Sequence, residues 1–264
     1  MDNGCLFGIT LSEKIEMMLN ILHLTDSHIY SDPSNTLYGA NTNQGLTDVV
    51  GAICRSEQRF DLAVITGDLV HDEGEAAYEA LKQQLAPLNM PCYVIPGNHD
   101  RPEVMSQIFN DGSVRWQGSL ILQGWQLLFI NTYAEDEIGG HISEQEYYRL
   151  EAVLGKSTLP SIIFMHHPAL SVNSAWLDRI GLQAPQRFLS FVEKFPQIKA
   201  VVNGHIHQEF EHIDEQGVRF YGTPSTCAQF KPLAEAFAVD DAAPGWREIQ
   251  LTNNGEVFSY IKRV

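Results

Sequence analysis

The 264-residue chain is poor in basic side chains, with 17 Lys and Arg against 33 Asp and Glu and a formal net charge of −16. A surface this acidic repels the phosphates of nucleic acids and of anionic lipid headgroups. We therefore expect no nucleic acid and no membrane as partner. A phosphate-containing substrate would still need local positive charge, and because no cluster of Lys or Arg supplies it, bound metal is the alternative source.

Cysteine is also scarce, and the spacing of the cysteines suits neither a CxxC pair nor a disulfide framework. The chain lacks the roughly 20 consecutive apolar residues that span a bilayer and the basic-then-apolar start of a signal peptide. We predict free thiols in a reducing compartment, and a cytoplasmic protein. The cysteines are Cys5, Cys54, Cys92 and Cys227.

Repeats, low-complexity segments and shifts of composition are absent, so we predict one domain over residues 1–264. The absence of a G-x-S-x-G motif removes support for a metal-independent serine hydrolase. Hydrophobic residues make up 44% of the chain, which is enough to bury a core.

What the chain does have is a series of short apolar runs, typical of buried strands, at 20–24, 62–66, 92–95, 161–164 and 200–202. Further strands are predicted at 126–131, 218–222, 247–251 and 256–261. Helices are predicted at 46–58, 75–85, from the Ser143 cap to 154, and at 185–194. Strand–helix alternation predicts a layered α/β fold with the helices outside. The polar loop 31–44 is either substrate-facing or a surface excursion.

Polar side chains follow each of the five apolar runs, where functional groups collect in α/β folds. They are oxygen and nitrogen donors without cysteine, a set that suits Mn, Fe or Zn. The donors are Asp26, His28, Asp68, Asn98, His166, His205 and His207. Asp26 and His28 are two residues apart, as are His205 and His207, so the two side chains of each pair are expected to face one side if the strand continues. Glycines before three of the clusters are expected to permit sharp turns.

In chain order these motifs read Asp-x-His, Gly-Asp, Gly-Asn-His-Asp, His-His and Gly-His-x-His. The series resembles the signature of the calcineurin-like metallophosphoesterases. Segments 223–227 and 244–247 make the chain most similar to that family's bacterial class III cyclic-AMP phosphodiesterases. The resemblance implies an α/β/β/α sandwich of two mixed β-sheets flanked by helices, and two divalent metal ions (Fe, Mn or Zn). It is also compatible with a homodimer.

The resemblance further implies how the donors divide between the two ions. One metal would be held by Asp26, His28, Asp68 and His207. The second would be held by Asp68, Asn98, His166 and His205. His166 is preferred to His167 because the family's ligand directly follows the strand, and the neighbour is left to contact substrate or to pack.

The implied reaction is hydrolysis of 3′,5′-cyclic AMP to 5′-AMP by in-line attack of a metal-bridging hydroxide, with His99 protonating the 3′-oxygen. Asp68 and Asn98 complete the catalytic set. In related phosphatases an Asp three residues after the bridging Asp orients this His, but here that position is His71, so the partner of His99 is open. The alternatives are hydrolysis of a glycerophosphodiester, a nucleotide pyrophosphate or a phosphoprotein, or a binding module without catalysis.

Substrate contacts are predicted more loosely. The predicted substrate-binding residues are His28, Asn98, His99, His167, His207, Thr223 and Ser225, although Thr223 and Ser225 also suit a simple turn around Pro224. Candidates for stacking on the purine are Tyr30, Tyr38 and Phe230, with ordinary packing as the alternative. We interpret Asp100 as a turn or cap residue and His23 as structural.

Overall fold

The structure, a computed structural model, describes residues 18–72, 74–110 and 112–264. Its strands are β1 (Met18–Leu24), β2 (Thr36–Leu37), β3 (Ala40–Asn41), β4 (Leu62–Thr66), β5 (Cys92–Ile95), β6 (Val114–Arg115), β7 (Ser119–Leu122), β8 (Trp125–Phe129), β9 (Ser161–Met165), β10 (Ile198–Asn203), β11 (Phe210–Ile213), β12 (Arg219–Gly222), β13 (Gln229–Phe230), β14 (Val239–Asp240), β15 (Gly245–Thr252) and β16 (Val257–Arg263). Its helices are α1 (Thr42–Arg55), α2 (Glu75–Leu85), α3 (Pro102–Ile108), α4 (Glu144–Leu154), α5 (Ala175–Asp178) and α6 (Pro185–Glu193), with a 3₁₀ turn at Ala86–Leu88.

Within the described ranges the strands form two six-stranded mixed sheets, ordered β16-β15-β1-β4-β5-β6 and β11-β12-β10-β9-β8-β7. In the first sheet β1, β4, β5 and β6 run parallel, and in the second β8, β9, β10 and β12 do. Antiparallel pairing occurs at the β16 edge of the first sheet and at both edges of the second. The carboxyl ends of the parallel strands therefore lie along one side of each sheet, which is where the predicted donors follow.

The layers are visible in the packing of the apolar side chains. One cluster, with Ile21, Val64 and Phe164, lies between the two sheets and includes no helical residue. A second joins the first sheet to α1, α2 and α3, and a third joins the second sheet to α4 and α6. The central strands β4, β5, β8 and β9 are buried on both faces, as their continuous apolar runs indicate. The predicted α/β/β/α sandwich is confirmed.

Most predicted elements are present, with shifted ends. Helix α1 begins four residues before the prediction because Asn41 acts as its N-cap, accepting a hydrogen bond from the Gln44 backbone N–H at 2.8 Å. The loop predicted at 31–44 therefore ends at Asn41 and contains the β2–β3 hairpin. Ser143 caps α4 as predicted, but the Glu146 carboxylate pairs with Arg149 instead of completing the capping box.

Three of the four cysteines lie in the described residues, all as free thiols. Cys92 and Cys227 are buried, and Cys54 is exposed on α1. Cys5 lies outside the described residues. In the part of the chain that the structure covers, each helix is too short or too polar to cross a membrane.

Candidate metal centre

The seven predicted donors lie beyond the ends of β1, β4, β5, β9 and β10, and their side chains converge between the two sheet edges. The condition for each pair of donors to face one side of a strand is not met, because β1 ends at Leu24 and β10 at Asn203. Instead, five donors have left-handed backbone: Asp26, His28, Asp68, His205 and His207, with φ between 44° and 69°. Such conformations are strained for residues with a Cβ and concentrate at functional sites.

Close approach of the loops explains two of the glycines that precede the donors. Gly67 has φ +81°, and a Cβ there would lie 2.5 Å from Nδ1 of His166. Gly97 has an ordinary φ, but its Cβ would collide with the backbone N and the carboxylate of Asp68. Gly67 therefore makes the turn that we predicted, whereas Gly97 is needed because another residue occupies the space of a side chain.

One donor group consists of Asp26, His28, Asp68 and His207, whose ligand atoms all lie within 4.8 Å of one another. All four side chains are buried. Nδ1 of His207 donates to the Ala228 carbonyl at 2.8 Å, so its Nε2 presents a lone pair to the centre. That Nε2 lies 3.4 Å from Asp26 Oδ1 and 3.2 Å from His28 Nε2. This is the residue set predicted for the first metal.

The second group surrounds Nε2 of His166. Asn98 Oδ1 and His205 Nδ1 each lie 3.3 Å from it, and Asp68 Oδ1 lies 3.4 Å away. Nδ1 of His166 donates to the Thr66 carbonyl at 2.7 Å, which fixes the ring so that Nε2 faces the centre. These four residues are the set predicted for the second metal.

The electrostatics of the centre favour a cation. Burial works against the charge of Asp68, but the facing imidazoles of His166, His99 and His28 hold its pKa well below the ordinary value. Burial lowers the pKa of His166, but the carboxylates of Asp68 and Asp26 outweigh it and raise that pKa to about 9. Positive charge is therefore strongly stabilised at the position that His166 Nε2 faces.

Among the described residues, Nε2 of His205 is buried without a hydrogen-bond partner. Burial, followed by the charge of His166, lowers the pKa of His205 to about 3, which leaves a neutral ring with a lone pair. An imidazole nitrogen without a partner, in a centre that also contains two buried carboxylates, is typical of a metal site whose ion is absent. The residues present therefore fit divalent metal ions.

His167 lies in a cluster with His166 and His205, yet its ring is fully engaged. Its Nε2 donates to the Ile138 carbonyl at 3.0 Å, and its Nδ1 accepts from the Thr132 hydroxyl at 2.8 Å. The ring is buried and has no free nitrogen for metal or substrate. The predicted substrate contact of His167 thus has no support in this geometry.

His99 is half-buried at the rim, and its ring centroid lies 5.0 Å from that of His28. Its backbone N–H donates to Asp68 Oδ1 at 2.9 Å, so the loop that carries His99 also orients Asp68. His71, at the position for which the family resemblance implies Asp, stacks on His99 with the centroids 4.9 Å apart. Asp72 instead accepts from the Ser31 N–H at 3.0 Å. A stacked imidazole therefore replaces the expected carboxylate partner.

Asp100 does more than the predicted turn. Its backbone N–H does donate to the Gly97 carbonyl, at 3.3 Å. Its buried carboxylate, however, accepts from the backbone N–H groups of Gly97 at 2.8 Å and of Leu69 at 3.1 Å, and from the Tyr78 hydroxyl at 3.1 Å. Asp100 therefore ties the loop that carries Asp68 to the loop that carries Asn98 and His99.

Thr223 and Ser225 were predicted to contact the nucleotide, but both are fully buried. The Ser225 hydroxyl donates to the Asp26 carbonyl at 2.7 Å, and the Thr223 hydroxyl lies 2.7 Å from Nδ1 of His23. Neither hydroxyl faces the rim, so both shape the interior behind the centre.

Aromatic rings line one side of the centre. Phe230 stacks on the His207 ring at 4.0 Å between centroids and is buried, so it positions His207 and has no free face for a base. Beyond it lie Tyr38 and Phe237, 4.8 Å apart and 53% and 46% exposed. We call Tyr38 and Phe237 the aromatic wall. Phe237 was not predictable from the sequence, because an isolated aromatic in a loop carries no periodic signal.

Tyr30, the remaining aromatic candidate, packs against His71 with the centroids 4.8 Å apart, and it lies outside the wall. His23 is buried, as its structural interpretation requires.

Comparisons with known proteins identify the family of this chain. The profile of the calcineurin-like phosphoesterase family matches residues 19–209. The 3′,5′-cyclic adenosine monophosphate phosphodiesterase CpdA of Vibrio vulnificus is 35% identical over 257 residues, covering 97% of this chain and 92% of that protein. The protein of the same name from Escherichia coli K12 is 34% identical, covering 97% and 94%. A dimetal phosphatase from Danio rerio has the same fold, with a TM-score of 0.63 at 16% identity, covering 91% of this chain and 98% of that one. The chain therefore belongs to the calcineurin-like phosphoesterase family, as its motifs predicted.

Proposed function

We propose that this protein hydrolyses 3′,5′-cyclic AMP to 5′-AMP at a centre of two divalent cations. Two named cyclic-AMP phosphodiesterases are at least 34% identical to it over nearly their whole length, which supports the substrate class. The native metal is left open, because Mn, Fe and Zn share these ligands.

The position of Asp68 carries the proposal. Its Oδ2 lies 3.6 Å from Nε2 of His28, and its Oδ1 lies 3.4 Å from Nε2 of His166. Each carboxylate oxygen thus faces the histidine of a different donor group. A carboxylate placed in this way is suited to bridging two cations, and two-metal sites are common in phosphatases.

Two bound divalent cations would lower the pKa of a shared water and stabilise the charge that develops on the phosphate. The protein's own charge at the centre is small, because its anionic groups are Asp26 and Asp68 while Asn98 and the histidines are uncharged ligands when they bind metal. The loaded centre is therefore positive and attracts an anionic diester although the chain carries a net charge of −16.

His99 is the candidate for protonating the leaving 3′-oxygen. It lies beside Asn98, at the half-buried rim, and it is held by its own backbone contact to Asp68 and by the stacked His71. General acid catalysis by a positioned imidazole is typically worth about 10²–10⁴ in rate.

The aromatic wall is the best candidate for holding the purine. Replacing Phe237 with alanine is expected to raise KM for cyclic AMP by roughly 5- to 150-fold with little change in kcat, since stacking a base contributes about 1–3 kcal/mol. Steady-state kinetics on the metal-loaded enzyme measures this. Leu233→Ala is the matched control, because Leu233 is apolar and 72% exposed in the same segment. Equal KM values for the two variants would argue against the wall.

A substrate panel tests the function as a whole. Metal-depleted protein would be reloaded with Mn²⁺, Fe²⁺ or Zn²⁺ and assayed on cyclic AMP, cyclic GMP, a glycerophosphodiester, a nucleotide pyrophosphate and a phosphomonoester. We expect the highest kcat/KM for cyclic AMP, and none of this turnover before reloading. A higher kcat/KM for another ester would assign the chain to a different activity of the family. Tight binding of cyclic AMP without turnover would indicate a binding module.

A further inference from the structure

A row of buried polar side chains leads from the protein surface to Asp26. It begins at Glu211, which is half-exposed and accepts from Arg247 Nη1 at 2.8 Å. Arg247 is fully buried and lies directly opposite His23 in the β1–β15 ladder. Each step after that is a side-chain contact of hydrogen-bonding length: Arg247 Nε to Thr223 Oγ1 (3.3 Å), Thr223 Oγ1 to His23 Nδ1 (2.7 Å), His23 Nε2 to Thr66 Oγ1 (2.8 Å), Thr66 Oγ1 to Thr25 Oγ1 (3.1 Å), and Thr25 Oγ1 to Asp26 Oδ2 (2.7 Å).

The two ends fix the direction of this row. Arg247 has only donors, and an ionised Asp26 has only acceptors. The Thr223 hydroxyl accepts from Arg247, and its own proton can then be donated to His23 Nδ1. The ring must then carry its proton on Nε2 and donate it to Thr66. Thr66 in turn donates to Thr25, and Thr25 donates to Asp26.

The opposite direction of the row leaves one hydrogen-bond donor without an acceptor. With its proton on Nδ1, His23 would donate to Thr223, which already accepts from Arg247. The buried hydroxyl proton of Thr223 would then have no acceptor among the contacts of the described residues. The Thr25 hydroxyl also lies 3.0 Å from the Thr66 carbonyl, but the shorter contact to a charged carboxylate is the stronger one.

The interior keeps the His23 ring uncharged, as this order requires. Burial, followed by the positive charge of Arg247, lowers the pKa of His23 to about 3. A neutral imidazole can accept at one nitrogen and donate at the other, which no apolar residue at this position could do.

We propose that Arg247, Thr223, His23, Thr66 and Thr25 form a one-way hydrogen-bond chain that positions Asp26 for its metal. The chain supplies a donor to Oδ2, while Oδ1 faces His207 across the centre. The His205 backbone N–H also contacts the carboxylate, at 2.9 Å from Oδ2. Glycine is required at position 204 beside this contact, because a Cβ there would collide with the Thr25 hydroxyl. These are positioning residues that lie behind the centre and do not touch substrate.

The order of the chain can be read directly by nitrogen NMR of protein with ¹⁵N-labelled histidine. We expect His23 to be neutral with its proton on Nε2. A proton on Nδ1, or a charged ring, would overturn the proposal. This measurement needs no variant and no nucleotide.

The effect on the metal is tested with Thr66→Val, which keeps the shape of the side chain and removes one link. Titration of metal-free protein with Mn²⁺ by calorimetry is expected to show one of the two binding events weakened by up to about 10-fold. This is the lower limit for loss of a direct partner of a metal ligand, because Thr66 acts on Asp26 through Thr25. Thr66→Ser keeps the hydroxyl and should restore the affinity. Unchanged Mn²⁺ affinity in folded Thr66→Val would contradict the chain.

Thr226→Val is the matched control. Thr226 is fully buried, its N–H donates to the Thr25 carbonyl, and its hydroxyl has no partner among the described residues. This variant should bind Mn²⁺ like the unmodified protein, and equal losses in Thr226→Val and Thr66→Val would point to packing alone. The inference rests on the metal centre of the proposed function, but both readouts remain valid if cyclic AMP is not the substrate.

Discussion

Replacement of Asp68 by alanine is expected to abolish phosphodiester hydrolysis, with a loss of at least about 10³-fold in kcat at saturating metal. Asp68 is the residue whose two oxygens face both donor groups, so its removal takes a ligand from each ion at once. Metal-assisted catalysis is worth several kcal/mol, and each 1.4 kcal/mol is tenfold in rate. Metal content by elemental analysis should fall in parallel with turnover.

Asp48→Ala is a suitable control for the loss of one acidic group, because Asp48 is exposed on α1, where its carboxylate accepts from the Gln44 side chain. It should retain normal metal content and rate. Near-normal hydrolysis by metal-saturated Asp68→Ala would remove the basis of the proposed two-metal function.

The second large effect is expected at His99. Alanine at this position should lower kcat for cyclic AMP by about 10²–10⁴, the usual contribution of a positioned general acid. A nitrophenyl phosphodiester should lose much less, since nitrophenolate leaves without being protonated. The comparison of the two substrates therefore separates proton transfer from binding.

His212→Ala serves as the control, because His212 is an exposed histidine on the edge strand β11. If His99→Ala slows both substrates equally, His99 has another role, such as orienting Asp68 through its loop. Retention of metal in the variant should be checked in the same preparation, so that loss of an ion is not mistaken for loss of an acid.

The fold and the donor residues were largely readable from the sequence, because both depend on local patterns. Strand β4 and helix α2 have the predicted ends, and the donors follow the predicted strands. The choice of His166 over His167 agrees with the geometry, since His167 has both nitrogens engaged. Family membership followed from the order of short motifs.

What the sequence could not reveal are contacts between distant segments. His23 and Thr223 are 200 residues apart, and nothing in either neighbourhood indicates that they meet. The same holds for the burial of Ser225, for the stacking of His71 on His99 and for the aromatic wall. Backbone conformation was also missed, since a strand-like spacing at Asp26 and His28 gave no sign of left-handed turns.

Those left-handed turns have a consequence for the durability of the protein. A non-glycine residue in this conformation costs roughly 1–2 kcal/mol, so the five affected donors together oppose folding by an amount comparable with the whole net stability of a typical domain, about 5–15 kcal/mol. Cations that bind only the folded chain would offset this opposition through mass action. A shortage of metal would then destabilise the folded protein and shorten its lifetime. The cellular abundance of the enzyme would therefore follow the metal supply even at a constant rate of synthesis.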